Sequence, residues 1–170
     1  MIRMGIDAST VCTGYCIFED KDLKTYGKIS LNADIQWRDR IIDMVKQLKE
    51  LIQLHNVEQI CVEVPIKTIK NVITLERLFT LQGAIIGVTA TMGVEVVPVE
   101  VSQWRKQLHL MKGIKPQDKK EERKILKQRS IELANQLYNL DLVYKSPDSK
   151  FNDDDISDAI LICHSVINRH

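Results

Sequence analysis

Apolar and polar positions alternate from the first residues onward. Met4 and Ile6 fall on one face of an extended segment and Arg3, Gly5 and Asp7 on the other, so positions 1–7 predict a strand ending on a carboxylate. After the polar turn Ala8-Ser9-Thr10, the run Thr13 to Phe18 predicts a second strand. A third follows the turn-like Glu19-Asp20-Lys21-Asp22, around Lys24 to Leu31, so the three should form an antiparallel meander. The period then changes from two to 3.6. Trp37, Ile41, Met44, Val45, Leu48, Leu51, Ile52 and His55 recur at helical spacing, with Asn32 or Asp34 available as the cap and His55 at the helix end.

Gln59 to Val64 reads as a short apolar strand containing one acid, Glu63, and stopped by Pro65. A strand reached through a long helical crossover should lie parallel in the same sheet, which would set Glu63 beside Asp7. From Asn71 to about Met92 the spacing predicts a second helix with Leu75, Leu78, Phe79 and Gln82 on one stripe. Its apolar face is broader than packing on one side of a sheet requires, so it predicts a partner surface. Val94 to Val99 follows as a buried strand, and a short helical segment carries Trp104, as a core anchor, with Arg105 and Leu108. A long helix then runs through Ile125, Ile131, Leu133 and Leu137, and a final one opens at Asp153 and continues through Ile162, Cys163, Val166 and Ile167.

Composition narrows the class. The chain has 170 residues, 44% of them hydrophobic and 28% charged, with 7 Gly and 4 Pro, which predicts one ordered domain over residues 1–170. No unbroken apolar run reaches the roughly 18 residues of a membrane span. The start enters a strand with no signal-peptide pattern, so a cytoplasmic protein with no membrane partner is expected. Cys12, Cys16, Cys61 and Cys163 share no zinc spacing and read as small buried apolar residues. A net charge of +1 makes no global case for nucleic acid. The local case lies between Lys112 and Arg129, where Lys112, Lys115, Lys119, Lys120, Arg123, Lys124, Lys127 and Arg129 outnumber Asp118, Glu121 and Glu122. Such a run is ordinarily a solvated helix face. Here Gly113 and Pro116 put its start in a loop, and a basic loop beside acids suits a polyanion.

The acids supply the chemistry. Asp153 and Asp154 are explained by capping and the helix dipole. Asp155 and Asp158 lie one turn apart, and the buried stripe extended back from Ile162 passes through both. With Asp7 and Glu63 they make an all-oxygen set that suits Mg²⁺ or Mn²⁺ rather than zinc. Four such acids can hold two ions roughly 4 Å apart, the spacing that serves phosphodiester cleavage.

The order Gly5-Ile6-Asp7, Thr13-Gly14-Tyr15, Val62-Glu63 and Asp155-x-x-Asp158-Ala159 resembles the RuvC-type Holliday junction resolvases of the ribonuclease H-like superfamily, over nearly the whole chain. The resemblance implies an α/β fold with a five-stranded mixed sheet flanked by helices. It also implies a homodimer, here through Leu75, Leu78, Phe79 and Gln82, and Mg²⁺-dependent paired nicking of four-way DNA junctions that leaves 5′-phosphates. Asp7, Glu63, Asp155 and Asp158 would be the catalytic metal ligands, with Asp154 an alternative to Asp155. Arg105 or Lys106, and Lys119 or Lys120, would touch DNA near the scissile phosphate, joined by Lys112 and Lys115.

Two features depart from the cellular members. Asp7-Ala8-Ser9 stands where they have Asp-Pro-Gly, and the loop from Pro65 to Lys70 offers Lys67 and Lys70 for phosphates but no aromatic ring for stacking. Both are similar to phage and viral resolvases, which implies a bacterial or phage-infected cytoplasm and a breadth that includes other branched DNA. A branched-DNA-binding module of the same fold without catalysis, and a nuclease acting on RNA/DNA hybrids, are the alternative readings.

Overall fold

Three strands form the meander that the alternation predicts: β1 (Ile2–Asp7), β2 (Cys12–Glu19) and β3 (Asp22–Ser30), paired antiparallel in sequence. The computed structural model describes residues 1–65, 71–147, 149 and 151–169. β4 (Gln59–Glu63) joins the free edge of β1 in parallel, and β5 (Glu95–Val99) joins β4 in parallel, giving a five-stranded mixed sheet in the order β3-β2-β1-β4-β5. Pro98 is tolerated because β5 is an edge strand.

Helices cover both faces. α1 (Trp37–Leu54) lays Ile41, Met44, Leu48 and Ile52 on Met4, Ile6, Ile60 and Val62, the face that the β1 alternation assigns to the core. Its cap is Gln36, whose side chain accepts from the Arg38 N–H, and not Asn32 or Asp34. Asn32 instead closes its own turn by accepting from the Asp34 N–H at 3.0 Å, the local bond that Asn side chains favour. His55 does end the helix. Buried Arg40 donates to the carbonyls of Thr10, Ala33 and Ile35 and so ties the turn after β1 to the start of α1.

α2 (Val72–Thr91) packs on α1 and β5 through Leu81, Ile85 and Thr89 and leaves Val72, Ile73, Phe79 and Ile86 exposed. By length and composition α2 is apolar enough to cross a membrane, although Glu76, Arg77 and Gln82 break its apolar run.

On the opposite face lie α3 (Val101–Gln107), α4 (Lys119–Tyr138) and α5 (Asp154–Ile167). α5 is not a one-stripe helix. Ile156, Ala159, Ile160, Leu161, Ile162 and Cys163 are all buried, because the sheet covers one side of it and α4 the other. Gly5 permits this: a Cβ there would stand 2.2 Å from the Ala159 carbonyl oxygen. α4 also differs from its predicted stripe. It buries Leu126, Ser130, Ile131 and Ala134, while Leu137 is exposed.

Candidate functional site

The fold brings the ends of β1 and β4 to the first turn of α5. Asp7 closes β1 opposite Gly14 of β2, and a Cβ on Gly14 would stand 1.9 Å from the Asp155 carbonyl oxygen. Glycine at that position is what lets the start of α5 settle on the sheet beside Asp7. The parallel register pairs Ile6 with Val62, so the next residues along, Asp7 and Glu63, come side by side as expected.

Asp7, Glu63, Asp155 and Asp158 line one cavity of about 1030 Å³, and Asp154 joins them. Each of the four named first has a specific environment. Glu63 accepts a 2.9 Å hydrogen bond from the indole Nε1–H of fully buried Trp104. Asp158 faces the Arg105 guanidinium at 3.7 Å through one oxygen, while its Oδ1 is buried with no hydrogen-bond partner among the described residues. Asp155 accepts from the Cys12 thiol at 3.1 Å. Cys12 is therefore a half-buried member of the site, whereas Cys16, Cys61 and Cys163 are buried as expected. Burial and the neighbouring carboxylates of Asp158, Glu63 and Asp155 hold Asp7 well above the usual carboxylate range. Burial pushes Asp158 up to about 7 against the opposing pull of Arg105, and burial also raises Glu63 and Asp155.

Asp154 is not equivalent to its neighbour, because Lys127 pairs with it at 2.8 Å. Burial works against the Lys127 charge, yet Asp154, with help from Asp155 and Asp158, leaves its pKa raised. Asp153 lies on the rim, bridged to Lys28 at 3.1 Å.

The wall facing the acids is basic. Lys120, Arg123, Lys124 and Lys127 project into the cavity from α4, with Arg105 from α3 and Lys28 from β3. Of the basic residues singled out from the sequence, Arg105 and Lys120 thus stand at the acids. Lys106 and Lys112 line an adjoining cavity of about 760 Å³, which shares Arg105 and Leu126 with the first, and Lys115 and Lys119 line neither. Lys67 and Lys70 lie outside the described residues. Sequence reasoning missed Arg123, Lys124 and Lys127 as site residues. Their spacing with Lys120 (i, i+3, i+4, i+7) was the available signal for one helix face. On α2, Phe79 is exposed, and Leu75, Leu78 and Gln82 are half-buried.

Chemically, the cavity sets unsatisfied carboxylate oxygens against a cationic wall. Among the described residues no three His, Cys, Asp or Glu side chains are arranged to grip one ion together. The donor set, with Asp158 Oδ1 buried and unpartnered, nonetheless fits a hard divalent cation, which would offset both the repulsion and the desolvation.

A family model described as Lactococcus phage M3 protein matches residues 2–167. No curated protein matches the sequence. Among solved structures, Thermus thermophilus RuvC in complex with Holliday junction substrate is 14% identical with a TM-score of 0.70, over 97% of this chain and 91% of that one. Fowlpox virus resolvase with its substrate Holliday junction DNA is 13% identical with a TM-score of 0.60, over 98% and 97%. The yeast mitochondrial Holliday junction resolvase is 15% identical with a TM-score of 0.59, over 97% and 77%. At these identities the likeness is one of fold, and it is the ribonuclease H-like fold of RuvC.

Proposed function

The chain belongs to the Lactococcus phage M3 protein family, and from that footing we propose that residues 1–170 form one metal-dependent endonuclease domain that nicks branched DNA. Four-way junctions are its principal substrate, and the products carry 5′-phosphates. The observation that carries the reading is the single cavity in which Asp7, Glu63, Asp155 and Asp158 face Arg105, Lys120, Arg123, Lys124 and Lys127. A phosphodiester needs both sides of that cavity: oxygens to hold cations, and fixed positive charge to hold the backbone.

Asp7, Glu63, Asp155 and Asp158 would hold the divalent cations, Mg²⁺ or in its place Mn²⁺. Bound there, two such ions supply a nucleophile at neutral pH and stabilise the leaving oxygen. Asp7, at the end of β1 with Glu63, Asp158 and Asp155 as neighbouring carboxylates, would be the central member of that ligand set. Lys120, Arg123 and Lys124 track the phosphates of the bound strand. Arg105 and Lys127, paired with Asp158 and Asp154, balance the charge of those acids and hold positive charge beside the path of the phosphates. Trp104 keeps the Glu63 carboxylate aimed at the cavity.

Two such sites acting on opposed strands need a dimer. The exposed apolar face of α2, with Val72, Phe79 and Ile86 presented around Gly83 and Gly87, is the surface proposed for it. The residues picked from the sequence lie at its edge, except for Phe79. The rival reading, a junction-binding module without catalysis, draws on the same two ion pairs, since acids already neutralised need no cation.

Purified protein incubated with a labelled four-way junction and a matched linear duplex, with Mg²⁺ and with EDTA, separates the two. Metal-dependent nicks near the branch point are expected. Tight binding without cutting under any divalent ion would establish the module instead.

A further inference from the structure

Two consecutive residues of α3 each reach a different acid. Trp104 donates to Glu63 at 2.9 Å, and Arg105 faces Asp158 at 3.7 Å. The Trp104 ring is fully buried in the core formed with Val99, Leu110, Leu126 and Ile160, so its position is set by packing and not by solvent. An indole N–H is a donor only and cannot exchange roles, unlike a hydroxyl or an amide. It therefore fixes one Glu63 oxygen as an acceptor and leaves the other for a second partner. A buried tryptophan whose N–H merely needed satisfying would find a backbone carbonyl as readily. This one is spent on a carboxylate at the mouth of the acidic cavity.

We infer that Trp104 is a positioning residue that orients Glu63 as a cation ligand, so that metal affinity at this centre depends on an indole that never touches the ion. The inference rests on the cation reading given above. Groups that orient metal ligands typically account for roughly 10–100-fold in metal affinity, and α3 becomes the element through which the packed core sets that affinity.

The test uses the full chain and measures binding, not cleavage. Terbium, an oxygen-seeking cation, is titrated into the wild type under indole excitation, and Mg²⁺ binding is followed by calorimetry. Sensitised terbium emission displaced by Mg²⁺ is expected and should be retained in Trp37→Phe, which assigns the sensitising indole to Trp104. In Trp104→Phe the Mg²⁺ affinity should fall roughly 10–100-fold while the circular dichroism stays that of the wild type. Binding indifferent to Trp104→Phe overturns this inference alone. Absence of any Mg²⁺ or terbium binding by the wild type overturns the cation reading and this inference with it. Should Trp104→Phe fail to fold, the indole N–H resonances of the wild type decide: the Trp104 signal must move on adding Mg²⁺ while that of Trp37 stays, and a Trp104 signal that stays fixed is fatal to the inference.

Discussion

Gly14 and Asp155 are in such close contact that a Cβ on the glycine would stand 1.9 Å from the Asp155 carbonyl oxygen. The contact fixes how far α5 can descend toward β1, and hence how near Asp155 and Asp158 come to Asp7. Because the obstacle is backbone, no rotamer change relieves it. Gly14→Ala should cost about 1–3 kcal/mol of stability, the range of overpacking, as read by urea unfolding. Cleavage should fall by far more than the folded fraction does, because the whole first turn of α5 must shift.

The raised carboxylates make a prediction about pH. Asp158 moves from an unfolded value of 3.8 to about 7, and Asp7, Glu63 and Asp155 move in the same direction. Between those values the folded state holds more protons than the unfolded one, so stability falls as pH rises. In EDTA the protein should be more stable at about pH 5 than at about pH 8, and added Mg²⁺ should stabilise it more at the higher pH, where the acids are ionised. Urea midpoints at the two pH values, with and without Mg²⁺, check both signs.

The basic face of α4 should act through charge rather than sequence. Lys120→Ala and Lys124→Ala are expected to weaken DNA binding uniformly across sequences, and each should reduce the steepness of the salt dependence by about 1. Binding titrations at several salt concentrations measure this directly. A loss confined to one junction sequence would show that these lysines read bases.

On α2, Phe79 is 43% exposed and Ile86 46%, so replacing either with Glu leaves the core intact. The wild type is expected to sediment as a dimer and each variant as a monomer, with the unfolding midpoint of the monomer close to that expected for a surface change. A dimer that survives both substitutions would place the interface elsewhere.

The gathering of the acids in one cavity was legible before the structure because these acids sit where elements end. The alternation in β1 assigns Asp7 to the face opposite Met4 and Ile6. The crossover rule then brings β4 alongside, and Glu63 with it. What was not legible is the pairing between distant positions. Nothing local connects Cys12 to Asp155, or Trp104 to Glu63, because those bonds depend on how α3 and α5 lie across the sheet. Part of the basic wall, Arg123, Lys124 and Lys127, was read only as a basic run and not as site residues, for a different reason. α4 is so rich in charge that its apolar signal is weak, and the stripe Ile125, Ile131, Leu133 and Leu137 matches only Ile131 of the buried Leu126, Ser130, Ile131 and Ala134, which blurs the direction that Lys120, Lys124 and Lys127 share. α5 shows the converse. Its two acids were found by extending a single stripe, although the helix is buried on nearly all sides and the acids sit where burial gives way to the cavity.

The most direct measurement compares the wild type with Asp7→Asn on a four-way junction labelled in turn on each strand, in the same Mg²⁺ buffer, with binding and cleavage read from the same samples. Paired nicks near the branch point by the wild type are predicted, with no nicks but undiminished junction binding by Asp7→Asn. Cleavage that persists in a clean preparation of Asp7→Asn would contradict the assignment of the acidic cavity as the catalytic centre.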